Sequence, residues 1–220
     1  MGKRGPKPKK IFSTEWTPEL AYAIGLLASD GCMTPYFHLI DLTSKDQEQL
    51  RNFSKCLGVP LKIGVKSNGD GKTAYRVQFK NALFYEFLFS IGLTPAKSKT
   101  IGSLKIPKRL FWDFLRGSYD GDGCSYAYWD PRWRSSFMFY TTFVSASHVH
   151  IKWLQSEIFK RLNILGHVTR DGRGITEQLK YAKADSLKIL RKMYYSRKVV
   201  CLSRKRLKVE KFLGIVGERL

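Results

Sequence analysis

Acids are scarce in this sequence. Against 39 Lys and Arg stand 18 Asp and Glu, a formal charge of +21 over 220 residues with a pI of about 9.9. Such an excess of one sign opposes compaction unless counterions or a polyanion offset it. Nucleic acid is the favoured polyanion, because Lys and Arg that neutralise phosphates release condensed cations. A membrane surface and ribosomal association are the rivals. Long apolar runs are also missing. Near the motifs the longest is Ile24 to Ala28, interrupted by Gly25, far below the ~20 residues that cross a bilayer, so no membrane-spanning segment is expected. The basic N-terminus, MGKRGPKPKKIF, lacks the apolar core and small-residue cleavage site of a secretory signal. The four cysteines, Cys32, Cys56, Cys124 and Cys201, form no CxxC pair and no zinc-like spacing. They are expected to be reduced, with Cys32 and Cys124 as small buried residues.

What the sequence does contain is a repeat. AYAIGLLASDGCM (21–33) and FLRGSYDGDGCSY (114–126) share one outline: a Gly, an Asp five residues later, then Gly and Cys. The acids, Asp30 and Asp122, lie 92 residues apart, a plausible length for a duplicated unit. Elements fall in the same order around each copy. Thr17, Pro18 and Glu19 open a helix that runs to about Ser29. Short β-like pieces follow around Thr34 and Pro35, then a helix over 45–57. A hairpin turns at Asn68 to Gly71, and another helix covers 82–91. The second half replays this with a helix from about Leu110, strands over 125–144 and a helix over 148–162. A hairpin around RDGRG, a helix in ADSLKILRKMYY and a helical tail complete it. The chain is thus read as α+β: a basic arm at 1–14, a first αββαββα repeat with its connector at 15–107, and a second repeat at 108–220. Hairpins imply antiparallel sheets with helices on one side and a free face on the other.

That face is expected to be basic. Polar residues at alternate strand positions share one side of a sheet. Lys62, Lys66, Lys72, Arg76, Gln78 and Lys80 in one half, with Arg132, Arg134, Arg170, Arg173, Gln178 and Lys180 in the other, suit a β-ribbon lying in a DNA major groove. Trp129 and Trp133 are the tryptophans placed to reach DNA.

The small residues Ala21, Gly25 and Ala28, and Gly117 with Gly121, form stripes that let two helices approach closely. If the stripes meet, Asp30 and Asp122 emerge together at the negative ends of both helix dipoles, an unfavourable place for acids without a cation. Mg²⁺, a hard ion that takes carboxylate, water and phosphate oxygens, suits it.

AIGLLASDG (23–31) and LRGSYDGDG (115–123) make the chain resemble a monomeric, two-motif LAGLIDADG homing endonuclease, over about 200 residues. The resemblance implies paired antiparallel sheets forming a saddle on DNA, with the motif helices at its centre. It implies Mg²⁺-dependent cleavage of both strands across the minor groove, with short 3′ overhangs, at a long and largely asymmetric site. Mn²⁺ would substitute, and Ca²⁺ would bind without supporting cleavage. Asp30 and Asp122 match the motif's metal-binding acid, and the carbonyls of Ser29 and Gly121 would also reach the metal. Lys97 and Lys205 match the basic residue late in each repeat. The motif's earlier acid falls on Asp120 but on Ala28 in the first copy, a position read as structural. Ser44 and Ser147 are expected to cap helices. His148 and His150 have no evident mirror in the first half. The implied setting is intracellular, at double-stranded DNA. Alternatives within the fold are an RNA maturase acting on intron RNA and a regulator that binds DNA without cutting. Against the regulator, both acids are kept and no added helix-turn-helix is evident.

Overall fold

The computed structural model describes residues 11–67, 73–133, 135–172 and 174–220. The first half runs α1 (Pro18–Ser29), β1 (Gly31–Met33), β2 (Leu39–Ser44), α2 (Gln47–Cys56), β3 (Ile63–Ser67), β4 (Thr73–Lys80) and α3 (Ala82–Ser90). The second runs α4 (Phe111–Gly121), β5 (Cys124–Trp129), β6 (Phe137–Ser145), α5 (His148–Leu162), β7 (His167–Arg170), β8 (Glu177–Ala182) and α6 (Lys183–Met193), and α7 (Ser203–Ile215) follows. The architecture is therefore α+β, with two αββαββα halves. Each sheet has four antiparallel strands, in the orders β1-β2-β4-β3 and β5-β6-β8-β7.

Local chemistry accounts for the boundaries. Thr17 Oγ1 accepts the Leu20 amide at 3.1 Å and Pro18 takes the first position of α1. Asn81 caps α3 by accepting from Phe84 at 2.9 Å, and Ser147 caps α5 by accepting from His150 at 3.4 Å. Ser44 does not cap α2. Asp46 does, by accepting from Glu48 at 3.0 Å, because the helix begins two residues later than a cap at Ser44 requires.

The halves share one core. Apolar residues of α1, α4, α7 and both sheets, from Leu20, Ile40 and Val77 to Phe143, Leu179 and Leu213, form a continuous cluster. Phe12, in the stretch read as an arm, is buried 4.6 Å from the Phe79 ring and 5.2 Å from Phe84, so the folded body starts before residue 15. Residues 1–10 of the arm and the turn at 68–71 lie outside the described residues. No described helix is long and apolar enough to cross a membrane.

Candidate active site

The centre of the molecule is the seam between α1 and α4. A methyl group on Gly25 would stand 2.7 Å from the Ser118 nitrogen and 2.8 Å from the Gly117 α-carbon, and one on Gly117 would stand 3.0 Å from the Gly25 α-carbon. The two backbones touch, which glycine alone permits. One helical turn further on, the site a Gly121 side chain would fill is taken by the Ser29 side chain, with Asp30 Oδ2 3.2 Å away. Both C-terminal ends therefore meet, with Asp30 and Asp122 as the C-cap residues.

The two acids open into separate cavities with crossed linings. Asp30 lines a cavity of about 740 Å³ together with Gly121 from the other motif. Asp122 lines one of about 180 Å³ together with Ser29 and Lys97. Burial pushes both carboxyls above their usual range. For Asp122 the charge of Asp30 pushes further the same way, while Lys97 and Lys205 pull both acids back.

Their hydrogen bonding differs. Gln49 Nε2 donates to Asp30 Oδ2 at 2.6 Å, its Oε1 accepts from Ser44 Oγ at 2.9 Å, and Ser44 Oγ accepts from the Asp46 amide at 3.0 Å. This chain of donors fixes which end of the Gln49 amide faces the acid. The third residue of α5 corresponds to Gln49, the third of α2, and it is His150. Its Nδ1–H donates to the Gly102 carbonyl at 2.8 Å, and burial pushes its pKa down to about 4. Asp122 carries no side-chain hydrogen bond or ion pair among the described residues.

Both lysines lie beneath the acids. Lys97 and Lys205 are buried, at 6% and 8% exposure. Lys97 Nζ donates to the Ser29 carbonyl at 3.2 Å. Lys205 Nζ donates to the carbonyls of Tyr119, Gly121 and Gly123 at 2.6, 3.0 and 2.6 Å. Each lysine thus satisfies the orphan carbonyls at the end of its motif helix. The Ser29 and Gly121 carbonyls each keep one lone pair free of the lysines. Burial lowers both ammonium pKa values, Lys205 to about 8, and the neighbouring acids oppose the shift.

Each lysine segment docks on the opposite repeat. Ser147 Oγ donates to the Ile101 carbonyl at 2.5 Å, which joins His150 in holding the connector after Lys97 to the start of α5. Asn52 donates to the Cys201 carbonyl at 2.9 Å, Arg204 pairs with Asp46 at 2.8 Å, and Ser203 bonds Glu48, so the chain around Lys205 is held to α2. Asp120 completes this scaffold: its Oδ2 accepts from Tyr22 at 2.8 Å and from the Leu202 amide at 2.7 Å. That ties α1, α4 and the entry to α7 together, as its reading as a structural position requires.

No family model and no curated protein matches the sequence. Solved structures do match. The N-terminal LAGLIDADG domain of DUF199/WhiA aligns with a TM-score of 0.55 and 16% identity over 84% of this chain and 85% of that one. The I-LtrWI LAGLIDADG homing endonuclease bound to target DNA gives 0.58 and 13%, over 91% and 90%. Meganuclease I-SmaMI bound to uncleaveable DNA gives 0.59 and 11%, over 92% and 93%. The chain has the LAGLIDADG fold.

In this LAGLIDADG architecture the free faces of both sheets run into the acid cavities. Thr43 and Ala74 line the Asp30 cavity, and Val144 lines that of Asp122. Strand register sorts the expected DNA contacts. Arg76, Gln78 and Lys80 alternate with buried Val77 on β4, Lys66 pairs across with Ala74, and all four face outward. Lys62 is exposed just before β3. Asp41 stands opposite Gln78 and interrupts this basic face, accepting from its amide at 3.3 Å. Gln178 and Lys180 face outward from β8, opposite Val144 and Thr142. Arg170 does not share their face. It pairs with Glu177 across β7 and β8, one position out of phase, and its guanidinium lies 3.6 Å from that carboxylate. Arg132 sits in the loop after β5 and is held by Asp130 at 3.0 Å. Lys72, Arg134 and Arg173 lie outside the described residues. Trp129 packs edge-on against Phe137 at 5.1 Å while remaining 53% exposed, and Trp133 is 69% exposed.

Two further expectations need revision. Cys32 and Cys124 are exposed, because strand register turns both onto the free face, Cys32 opposite Asp41 and Cys124 opposite Thr142. His150 does have a mirror, Gln49, visible when TSKDQEQL and VSASHVHI are aligned on Ser44 and Ser145. Gln49 has no signature in the sequence, since an amide inside a polar helix start is marked as a site residue only by the acid it contacts.

Proposed function

We propose that the chain is a site-specific, Mg²⁺-dependent DNA endonuclease that cuts both strands of a long, asymmetric duplex target and leaves short 3′ overhangs. One observation carries this reading: two carboxylates, one from each motif, share a backbone-to-backbone seam, and each opens beside the residue that precedes the other motif's acid, Gly121 for Asp30 and Ser29 for Asp122, at the inner end of an uncovered sheet face. The donor set fits a hard cation. Among the described residues no three His, Cys, Asp or Glu side chains cluster into a cage, so ligation falls to the two carboxylates, the Ser29 and Gly121 carbonyls, and water or phosphate oxygens, a set that suits Mg²⁺. The unpaired Asp122 and the mutual repulsion of the acids favour a cation there. A divalent ion, when bound, neutralises charge on the scissile phosphate and acidifies the attacking water.

The chain's residues divide the remaining work. Asp30 and Asp122 hold negative charge at the floor of the groove. Lys97 and Lys205 keep the motif carbonyls in place and add positive charge beneath the phosphates. Gln49, buried at the wall of the same cavity, orients Asp30 through its amide. The outward-facing Lys66, Arg76, Lys80 and Lys180 supply phosphate and base contacts. The DNA-bound structures of similar fold, I-LtrWI and I-SmaMI, support duplex DNA as the partner. The excess positive charge supports it too.

The test is a randomised duplex library incubated with the monomeric protein and Mg²⁺. Double-strand breaks should gather at one sequence, persist with Mn²⁺ and vanish with Ca²⁺ while binding continues. Asp30→Asn and Asp122→Asn should each abolish the breaks without abolishing binding. Specific binding with no break in any duplex would favour a non-cleaving regulator. Binding of intron RNA alone would favour a maturase.

A further inference from the structure

The uncovered faces of the two sheets have opposite chemistry. On the first, Lys66, Arg76, Gln78 and Lys80 dominate. On the second, the outward register of β5 and β6 presents Tyr126, Tyr128 and Tyr140 with Met138 and Val144. Gln178 and Lys180 are the amide and the cation that β8 adds. The Tyr126 and Tyr140 rings stack at 5.1 Å, and Tyr128 and Tyr140 at 6.3 Å, with interplanar angles of 18° and 15°. Tyr128 is 45% exposed. The helices pack on the other side: Phe212 of α7 meets Phe137 and Phe139, and Ser186 Oγ of α6 accepts from the Thr141 amide at 2.9 Å, all on the inward register. Three parallel phenol rings side by side on an open sheet are an apolar shelf with hydroxyl tips.

A shelf of this kind reads different features of DNA than a row of cations does. In the major groove the thymine C5-methyl is the apolar feature of the base edges, whereas Arg, Lys and Gln read the polar edges of guanine and adenine. We infer that Tyr126, Tyr128 and Tyr140 form a thymine-methyl reading surface, so that the half-site under the second sheet is recognised by apolar contact and the half-site under the first by charge. The inference rests on the endonuclease reading and adds which bases one half of the target must carry. Thymine-rich sequence is expected in the second half-site, and the affinity it confers depends weakly on salt, because methyl contacts release no counterions.

The experiment uses the full chain and duplexes selected from a random library in Ca²⁺, with binding read by fluorescence anisotropy. The half-site under the second sheet is the one whose selected bases change in Tyr128→Ala, an exposed position where folding is not at stake. Deoxyuridine then replaces thymidine in one half-site at a time, which deletes only methyl groups and leaves the protein untouched. In the second half-site affinity should fall about fourfold for each methyl that the shelf buries, with an unchanged salt slope. The same exchange in the first half-site should have no effect. Arg76→Ala should instead reduce the salt slope by about one. Silent deoxyuridine exchange in both halves overturns the inference while leaving the nuclease reading intact. So does a loss of affinity in Tyr140→Phe equal to that in Tyr140→Ala, since that assigns the tyrosines to phosphate contacts through their hydroxyls. Failure to select any sequence overturns the nuclease reading, and this inference with it.

Discussion

Asp30 and Asp122 occupy equivalent places at the ends of paired helices, yet their surroundings have diverged. Around Asp30, a serine and an aspartate at the start of α2 orient Gln49 so that it donates to the carboxylate. Around Asp122, the corresponding serine still accepts the Ser147 amide at 3.1 Å, but the residue in the place of Gln49 is His150, turned away to hold the Gly102 carbonyl. The duplicated scaffold has been kept and one polar partner has been reassigned from the acid to the connector. The backbone seam tolerates no such drift, because a methyl group on either central glycine collides with the other helix. Close packing fixes the positions of the acids, while their individual chemistry is set by residues three elements further along the chain.

The largest effect is expected at the acids. Asp30→Asn or Asp122→Asn should lower double-strand cleavage of the selected target by about three orders of magnitude or more, the several kcal/mol that charge stabilisation at a phosphate supplies, as read by linearisation of a supercoiled plasmid. Next is the seam. Gly25→Ala or Gly117→Ala should destabilise the protein by about 3 kcal/mol, seen as a fall in Tm, because neither backbone can retreat without separating the acids. A Tm like that of the parent would mean the helices are not in contact.

Smaller effects sharpen the difference between the centres. With Gln49 serving one acid alone, the two strands should be cut at unequal rates, and nicked plasmid should accumulate before linear product. Gln49→Ala should slow cutting of one strand by about tenfold to a hundredfold and leave the other unchanged. Equal slowing of both strands would show the centres to be coupled. The weakest probe is pH. Burial holds the His150 pKa at about 4, below the 6.5 of the free side chain. The unfolded chain therefore takes up that proton first as pH falls. The stability that neutral His150 contributes is complete above pH 6.5 and is lost as pH drops toward 4. His150→Gln should show a shallower fall in Tm than the parent between those values, and parallel curves would refute the assignment.

Much of the fold was legible in the sequence. The boundaries of α1 and α5 followed from Thr17, Pro18 and the polar start at Ser147, and the hairpins from paired β-like runs. The acids followed from the repeat. Strand phase was harder to read. Arg170 lies in a polar strand that the sequence suggests is turned to DNA, but a register set by the pairing of β7 with β8 turns it to the other face. Tyr126, Tyr128 and Tyr140 were hidden for a related reason, since aromatic residues in a strand suggest a core until the covered side of the sheet is known. Cys32 and Cys124 were misjudged in the same way.

The duplication, the charge that calls for a polyanion, and the two acids at the ends of glycine-bearing helices are written in the chain itself, because they are properties of composition and spacing. Folding settles which lysine lies beneath which carbonyls, which acid receives an amide, and which sheet face carries charge or tyrosine. Those are contacts between residues tens of positions apart, set by how the two halves dock and by the phase of each strand, and no local pattern encodes either.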